Sequence, residues 1–128
     1  MTNSLLVYVV DDDPSVRRAL ERLLRLEGYR VQTFASGAEF LRVPDRDEPA
    51  CVVLDIRMPG LSGFELLECL STRRHALPVI LITGHGELPM ATHATRIGCV
   101  GFLAKPFEDV ALLNAVREAF GQHVPPGR

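Results

Sequence analysis

Four short apolar runs, each stopped by a polar residue and a turn, limit what this chain can fold into. They are Leu5-Leu6-Val7-Tyr8-Val9-Val10 before Asp11, Cys51-Val52-Val53-Leu54 before Asp55, Val79-Ile80-Leu81-Ile82 before Thr83, and Cys99-Val100-Gly101-Phe102-Leu103-Ala104 before Lys105. Runs this short, rich in β-branched residues and bounded by turns, read as strands buried on both faces. Between them the period becomes helical. Asp13-Pro14 is an N-cap with proline at the first helical position, and Val16, Leu20, Leu23 and Leu24 recur at helical spacing until Gly28. Strands of this kind alternating with helices specify a parallel sheet covered on each side.

The remaining segments complete the alternation. Tyr29 to Phe34 alternates polar and apolar residues and suits an edge strand. Ser36-Gly37-Ala38-Glu39 and Ser62-Gly63-Phe64-Glu65 are capping boxes that open two helices, the second carrying Leu67 and Leu70. Val43 to Pro49 is a charged, proline-bounded loop. A helix with a thin stripe (Met90, Ala94, Ile97) is expected from Leu88 to Arg96, and a last helix from Phe107 to Phe120 with Val110, Leu113, Val116 and Phe120 on its buried face. The predicted fold is α/β, a doubly wound five-stranded parallel sheet in the order 2-1-3-4-5 with five helices, the flavodoxin-like arrangement. One domain is expected over residues 1–121, with residues 122–128 as a tail or the start of a linker.

At 128 residues the chain suits one domain that buries roughly two-thirds of its unfolded surface, so no disulfide or metal is required for a core. The formal net charge is -2, with no basic block, which argues against nucleic-acid binding by this domain itself. The three cysteines have no CxxC spacing and read as buried small hydrophobes in a reducing compartment. The four histidines, His75, His85, His93 and His123, have no metal-ligand spacing. The N-terminus lacks the pattern of a signal peptide and no run approaches membrane-spanning length, so a cytoplasmic protein with no membrane partner is expected.

The predicted strand order brings the ends of strands one, three, four and five together, and with them Asp11, Asp12, Asp55, Thr83 and Lys105. Asp13 has a capping duty; Asp11 and Asp12 have none. Three converging carboxylates repel one another and raise at least one pKa unless a cation joins them. Hard oxygen ligands, few in number, suit Mg²⁺, with Mn²⁺ as an alternative ion. A carboxylate can itself act as a nucleophile and form an aspartyl-phosphate. Transfer of a phosphoryl group needs mainly positioning and charge neutralisation, which a divalent ion, an ammonium and a hydroxyl can supply.

Val9-Val10-Asp11-Asp12-Asp13-Pro14, Leu54-Asp55-Ile56-Arg57-Met58-Pro59-Gly60, Ile82-Thr83-Gly84-His85-Gly86 and Phe102-Leu103-Ala104-Lys105-Pro106-Phe107 together resemble the receiver domain of bacterial two-component response regulators. The resemblance covers nearly the whole chain. The continuation Glu87-Leu88-Pro89-Met90-Ala91 resembles the FixJ-like branch. The resemblance implies that Asp55 accepts a phosphoryl group from a sensor histidine kinase. It implies that Asp12, Asp55 and the backbone carbonyl of Arg57 hold Mg²⁺ with Asp11 assisting through water, and that Thr83 and Lys105 bind phosphoryl oxygens. Phe102 is then the aromatic switch, and the Lys105-Pro106 bond is expected to be cis. Such a domain is a signalling module that catalyses only its own phosphotransfer and slow dephosphorylation. By the same resemblance it controls homodimerisation and a DNA-binding output domain absent from this chain.

Three rival readings stand beside this one. A stand-alone single-domain receiver would end where this chain does. A phosphorylation-independent interaction module would have lost part of the Asp11, Asp12, Asp55, Thr83 and Lys105 set, which is intact. A phosphohydrolase working through an aspartyl-phosphate would want an aspartate two residues after its nucleophile, and position 57 is Arg.

Overall fold

The computed structural model describes residues 5–44, 48–57, 60, 63–71, 77–83 and 99–122. The strands are β1 (Leu6–Val10), β2 (Arg30–Phe34), β3 (Ala50–Asp55), β4 (Val79–Thr83) and β5 (Cys99–Ala104). The described helices are α1 (Pro14–Leu26), α2 (Gly37–Leu41), α3 (Gly63–Ser71) and α4 (Asp109–Gln122). The helix expected from Leu88 to Arg96, the cap at Ser62, the four histidines and residues 123–128 lie outside the described residues.

All five strands are parallel, in the predicted order β2-β1-β3-β4-β5. Successive residues of β1 face opposite sides, because side chains alternate along a strand. Leu6, Tyr8 and Val10 join Val52, Leu54, Val79 and Leu81 in one core layer, under Phe40 of α2 and Leu66, Leu67 and Leu70 of α3. Val7 and Val9 join Val53, Ile80 and Ile82 in the other, under Leu20 and Leu24 of α1 and Leu112, Val116, Ala119 and Phe120 of α4. Every residue of β1, β3 and β4 is buried, whereas β2 buries only Val31 fully, as an edge strand should.

Local chemistry sets the helix ends. The Asp13 carboxylate accepts the Ser15 amide at 2.9 Å and Pro14 opens α1. At the other end Gly28 takes φ +96, the Tyr29 amide donates to Leu24 O, and the Gly28 amide donates to Arg25 O. That is a Schellman closure, and it needs a residue without a Cβ at Gly28. The Ser36 hydroxyl caps α2 by accepting the Glu39 amide at 3.1 Å. In return the Glu39 carboxylate accepts from the Ala35 amide, one residue further back than a capping box predicts.

Two expectations are corrected, and one feature of β5 is new. The stripe of α4 is rotated: Leu112, Val116, Ala119 and Phe120 form the buried i, i+4, i+7, i+8 set, Leu113 is partly buried, and Val110 is 56% exposed. Cys69 is exposed, since α3 turns Leu66, Leu67 and Leu70 inward and leaves Glu65, Glu68 and Cys69 outside. A bulge interrupts β5, where Val79 pairs with Cys99 and Ile80 with Gly101, so Val100 is an extra residue. The bulge reverses the alternation and brings Phe102 beside Leu81, leaving Leu103 beside Ile82 on the opposite layer.

Candidate phosphorylation site

The carboxyl ends of β1, β3, β4 and β5 lie side by side, and each delivers a polar group. Asp11 and Asp12 follow β1, Asp55 is the last residue of β3, Thr83 the last of β4, and Lys105 follows β5. Asp11, Asp12 and Asp55 each offer a carboxylate oxygen, and these oxygens all lie within 4.8 Å of one another. Asp55 is 7% exposed, Asp11 1%, and Thr83 fully buried, while Asp12 reaches solvent. A buried acid pair thus stands beside an exposed third carboxylate.

The two oxygens of Asp55 have different neighbours. Oδ1 accepts the backbone amide of Arg57 at 3.1 Å. Oδ2 faces the Lys105 ammonium at 3.8 Å. The Thr83 hydroxyl donates to the carbonyl of Leu103 at 3.4 Å, a long bond with little to hold it. The Lys105–Pro106 peptide bond is cis. Phe102 is partly buried against the layer that contains Leu81 and Leu54. The geometry therefore brings together Asp11, Asp12, Asp55 and Lys105, with Thr83 at the adjoining strand end. Arg57 enters through its amide, and Phe102 lies in β5 rather than among the carboxylates.

Asp11 is the strained member. Its carboxyl pKa is raised from the ordinary 3.8 to about 6, first by burial, then by the charges of Asp55 and Asp12. The bond from the Asp13 amide and the charge of Lys105 act in the opposite direction. The repulsion anticipated from the sequence is present, but burial is the larger cause. Oδ1 of Asp11 accepts the Asp13 amide at 2.9 Å. Oδ2 is buried without a hydrogen-bond partner among the described residues. A buried, partnerless carboxylate oxygen beside two more carboxylates fits a hard divalent cation such as Mg²⁺.

One contact at this site has no counterpart in the sequence reading. Nη1 of Arg17 donates to the carbonyl oxygen of Asp11 at 2.7 Å. The available signal was spacing: Arg17, Leu20 and Leu24 share the i, i+3, i+7 stripe of α1, where an arginine is out of place unless something claims it.

A parallel 2-1-3-4-5 sheet with three acids and a lysine at its carboxyl edge defines a receiver. Residues 7–117 match the family described as "Response regulator receiver domain", and the chain belongs to that family. The chain is similar to transcriptional regulatory protein FixJ of Azorhizobium caulinodans, 44% identical over 128 residues, covering 100% of this chain and 61% of that protein. It is 48% identical over 113 residues to C4-dicarboxylate transport transcriptional regulatory protein DctD of Pseudomonas aeruginosa, covering 88% of this chain and 24% of that one. The crystal structure of full-length FixJ from B. japonicum superposes with a TM-score of 0.88 at 39% identity, over 98% of this chain and 61% of that one. The chain thus spans about three-fifths of the FixJ proteins it matches. Among the described residues no helix is long and apolar enough to cross a membrane.

Proposed function

We propose that Asp55 is the phosphoacceptor of a two-component response regulator and receives its phosphoryl group from a phosphohistidine of a sensor histidine kinase. The observation that carries this reading is the position of Asp55, nearly buried, with Oδ2 3.8 Å from Lys105 and two further carboxylates beside it. A carboxylate oxygen of Asp55 attacks phosphorus, the new P–O bond forms as the P–N bond to histidine breaks, and the imidazole departs with the electron pair. Lys105 neutralises charge on the phosphoryl oxygens, and the Thr83 hydroxyl, at the end of the adjoining strand, turns toward one. The Arg57 amide keeps Asp55 in one orientation for the attack. Mg²⁺, or Mn²⁺ in its place, would be held by Asp11, Asp12, Asp55 and the backbone carbonyl of Arg57, and would offset the negative charge of acids and phosphoryl group alike.

The catalysis is confined to the domain's own phosphorylation and slow dephosphorylation. Residues 1–121 form the receiver, and a DNA-binding output domain follows residue 128 in the complete regulator, under control of phosphorylation-driven homodimerisation. The regulator works in the cytoplasm. The transcriptional names of the relatives and the share of their length left unmatched support this extension.

Incubation with acetyl phosphate tests the assignment. Intact-mass analysis should show one phosphoryl group on the wild-type chain with Mg²⁺ and none in EDTA. Asp55→Asn should stay unmodified, and Asp12→Ala should need far more Mg²⁺. Labelling that persists in Asp55→Asn, or that ignores removal of Mg²⁺, would overturn it.

A further inference from the structure

Asp11 is gripped from three sides. Its amide donates to the carbonyl of Phe34 on β2 at 3.1 Å. Its Oδ1 accepts the Asp13 amide at 2.9 Å. Its carbonyl oxygen accepts from the Arg17 guanidinium at 2.7 Å. A hydrogen bond from a charged donor is shorter and stronger than a neutral one, and Arg17 is half-buried, which reduces its screening by water.

The carbonyl that Arg17 holds belongs to the peptide unit joining Asp11 to Asp12. A peptide unit is planar, so fixing its carbonyl fixes the plane from which both residues' Cα atoms depart. Both carboxylates lie within the same 4.8 Å cluster as Asp55, where mutual repulsion would otherwise swing the corner open. Arg17 is itself anchored, since Leu20 and Leu24 hold the same stripe of α1 in the core. The guanidinium also brings a positive charge to a corner that carries three consecutive aspartates.

We propose that Arg17 is a positioning residue of the phosphorylation site: by holding the Asp11–Asp12 peptide unit it keeps the two carboxylates converged for Mg²⁺. This role rests on the metal reading given above. It predicts a loss of metal affinity that abundant metal restores, since Arg17 itself touches neither the ion nor the phosphoryl group. Arg25 supplies a matched control. It lies on the same helix and also donates to a backbone carbonyl, that of Val31 at 3.0 Å, away from the carboxylates.

The experiment is calorimetric titration of the 128-residue chain with Mg²⁺, alongside acetyl phosphate labelling and amide hydrogen exchange at Asp13. Arg17→Ala should weaken Mg²⁺ binding about tenfold, the scale seen when a ligand's supporting partner is removed. Arg17→Lys, which keeps the charge and one donor, should recover part of that loss. Labelling at saturating Mg²⁺ should stay within about threefold of wild type, and Asp13 should exchange faster in Arg17→Ala. Arg25→Ala should leave Mg²⁺ affinity within about twofold, which separates positioning from general weakening of α1. The role is overturned if Arg17→Ala binds Mg²⁺ as wild type does, if Arg25→Ala loses as much, or if saturating Mg²⁺ fails to restore labelling. A wild-type chain that takes up no Mg²⁺ overturns the metal reading and this role with it, whereas binding abolished by Asp12→Ala but untouched by Arg17→Ala overturns this role alone.

Discussion

The backbone amide of Lys105 donates to the carbonyl oxygen of Thr83 at 2.8 Å, which makes the two residues the last rung between β4 and β5. A backbone shift at one is therefore passed to the other. The ammonium at one end of this rung faces Asp55 at 3.8 Å, and the hydroxyl at the other ends the strand beside Asp55's own. The rung joins the two groups that the proposed reaction uses to hold a phosphoryl group.

Lys105 should matter for signalling and hardly at all for stability. Its side chain is 42% exposed and 3.8 Å from Asp55, and ion pairs so open to water contribute about 0–1 kcal/mol. Lys105→Ala is expected to unfold in urea within about 0.5 kcal/mol of wild type. It should still accept phosphate on Asp55 but fail to convert it into a change of assembly. A stability loss above about 2 kcal/mol would mark the lysine as a structural residue instead.

Asp11 makes the opposite prediction, a stability gain on mutation. Its folded pKa of about 6 lies above the ordinary 3.8, so the folded chain holds a proton that the unfolded chain has lost. Below 3.8 the carboxyl is protonated in both states and contributes nothing. Stability then falls as pH rises toward 6, and above 6 the whole cost of a buried, ionised carboxylate remains. In EDTA near neutral pH, Asp11→Asn should be more stable than wild type by about 1–3 kcal/mol, and the gain should vanish near pH 4. Urea unfolding across that range decides it; an equal or pH-independent stability would refute the argument.

The layered sheet and its order were legible because apolar runs of strand length leave little choice about burial, and Asp55, Thr83 and Lys105 were legible because each terminates such a run. What was not legible depends on rotation and register. Val110 and Leu112 are both apolar, and only packing against the sheet decides that Leu112 is buried and Val110 exposed. The extra residue at Val100 leaves no local mark beyond Gly101, yet it determines the face on which Phe102 lies. Arg17 was missed because its partner is a backbone carbonyl, which no side-chain pattern records.

Cys51 and Cys69 should differ sharply in reactivity. Burial pushes the Cys51 thiol up to about 12 and seals it under α1 and α4, while Cys69 is exposed on α3. The thiolate is the reactive form, so Cys69 should be alkylated by iodoacetamide in the native protein and Cys51 only after unfolding. Peptide mapping by mass spectrometry reads each site separately. Modification of native Cys51 at the rate of Cys69 would contradict the buried position.

The route from phosphate to signal should run through Thr83 and Phe102. In the structure the Thr83 hydroxyl is spent on a 3.4 Å bond to the Leu103 carbonyl, one residue from Phe102 on the neighbouring strand. Turning that hydroxyl toward a phosphoryl oxygen on Asp55 gives up a weak bond for a charge-assisted one. Thr83 is fully buried, so its displacement opens space that close-packed neighbours must refill, and the partly buried Phe102 ring, packed on the same core layer as Leu81, is the expected one to do so. Exchange between two packed arrangements behaves as a switch rather than a graded bend. The face it alters comprises β5 and α4, on which Val110 already stands exposed. Homodimerisation through this face is the expected output. Sedimentation with beryllofluoride, a phosphoryl mimic, should convert the wild-type chain from monomer to dimer, and Phe102→Ala should weaken the mimic-induced dimer about tenfold. A monomer that persists with the mimic, or a dimer equally strong without it, would show that the phosphate signal leaves the domain by another route.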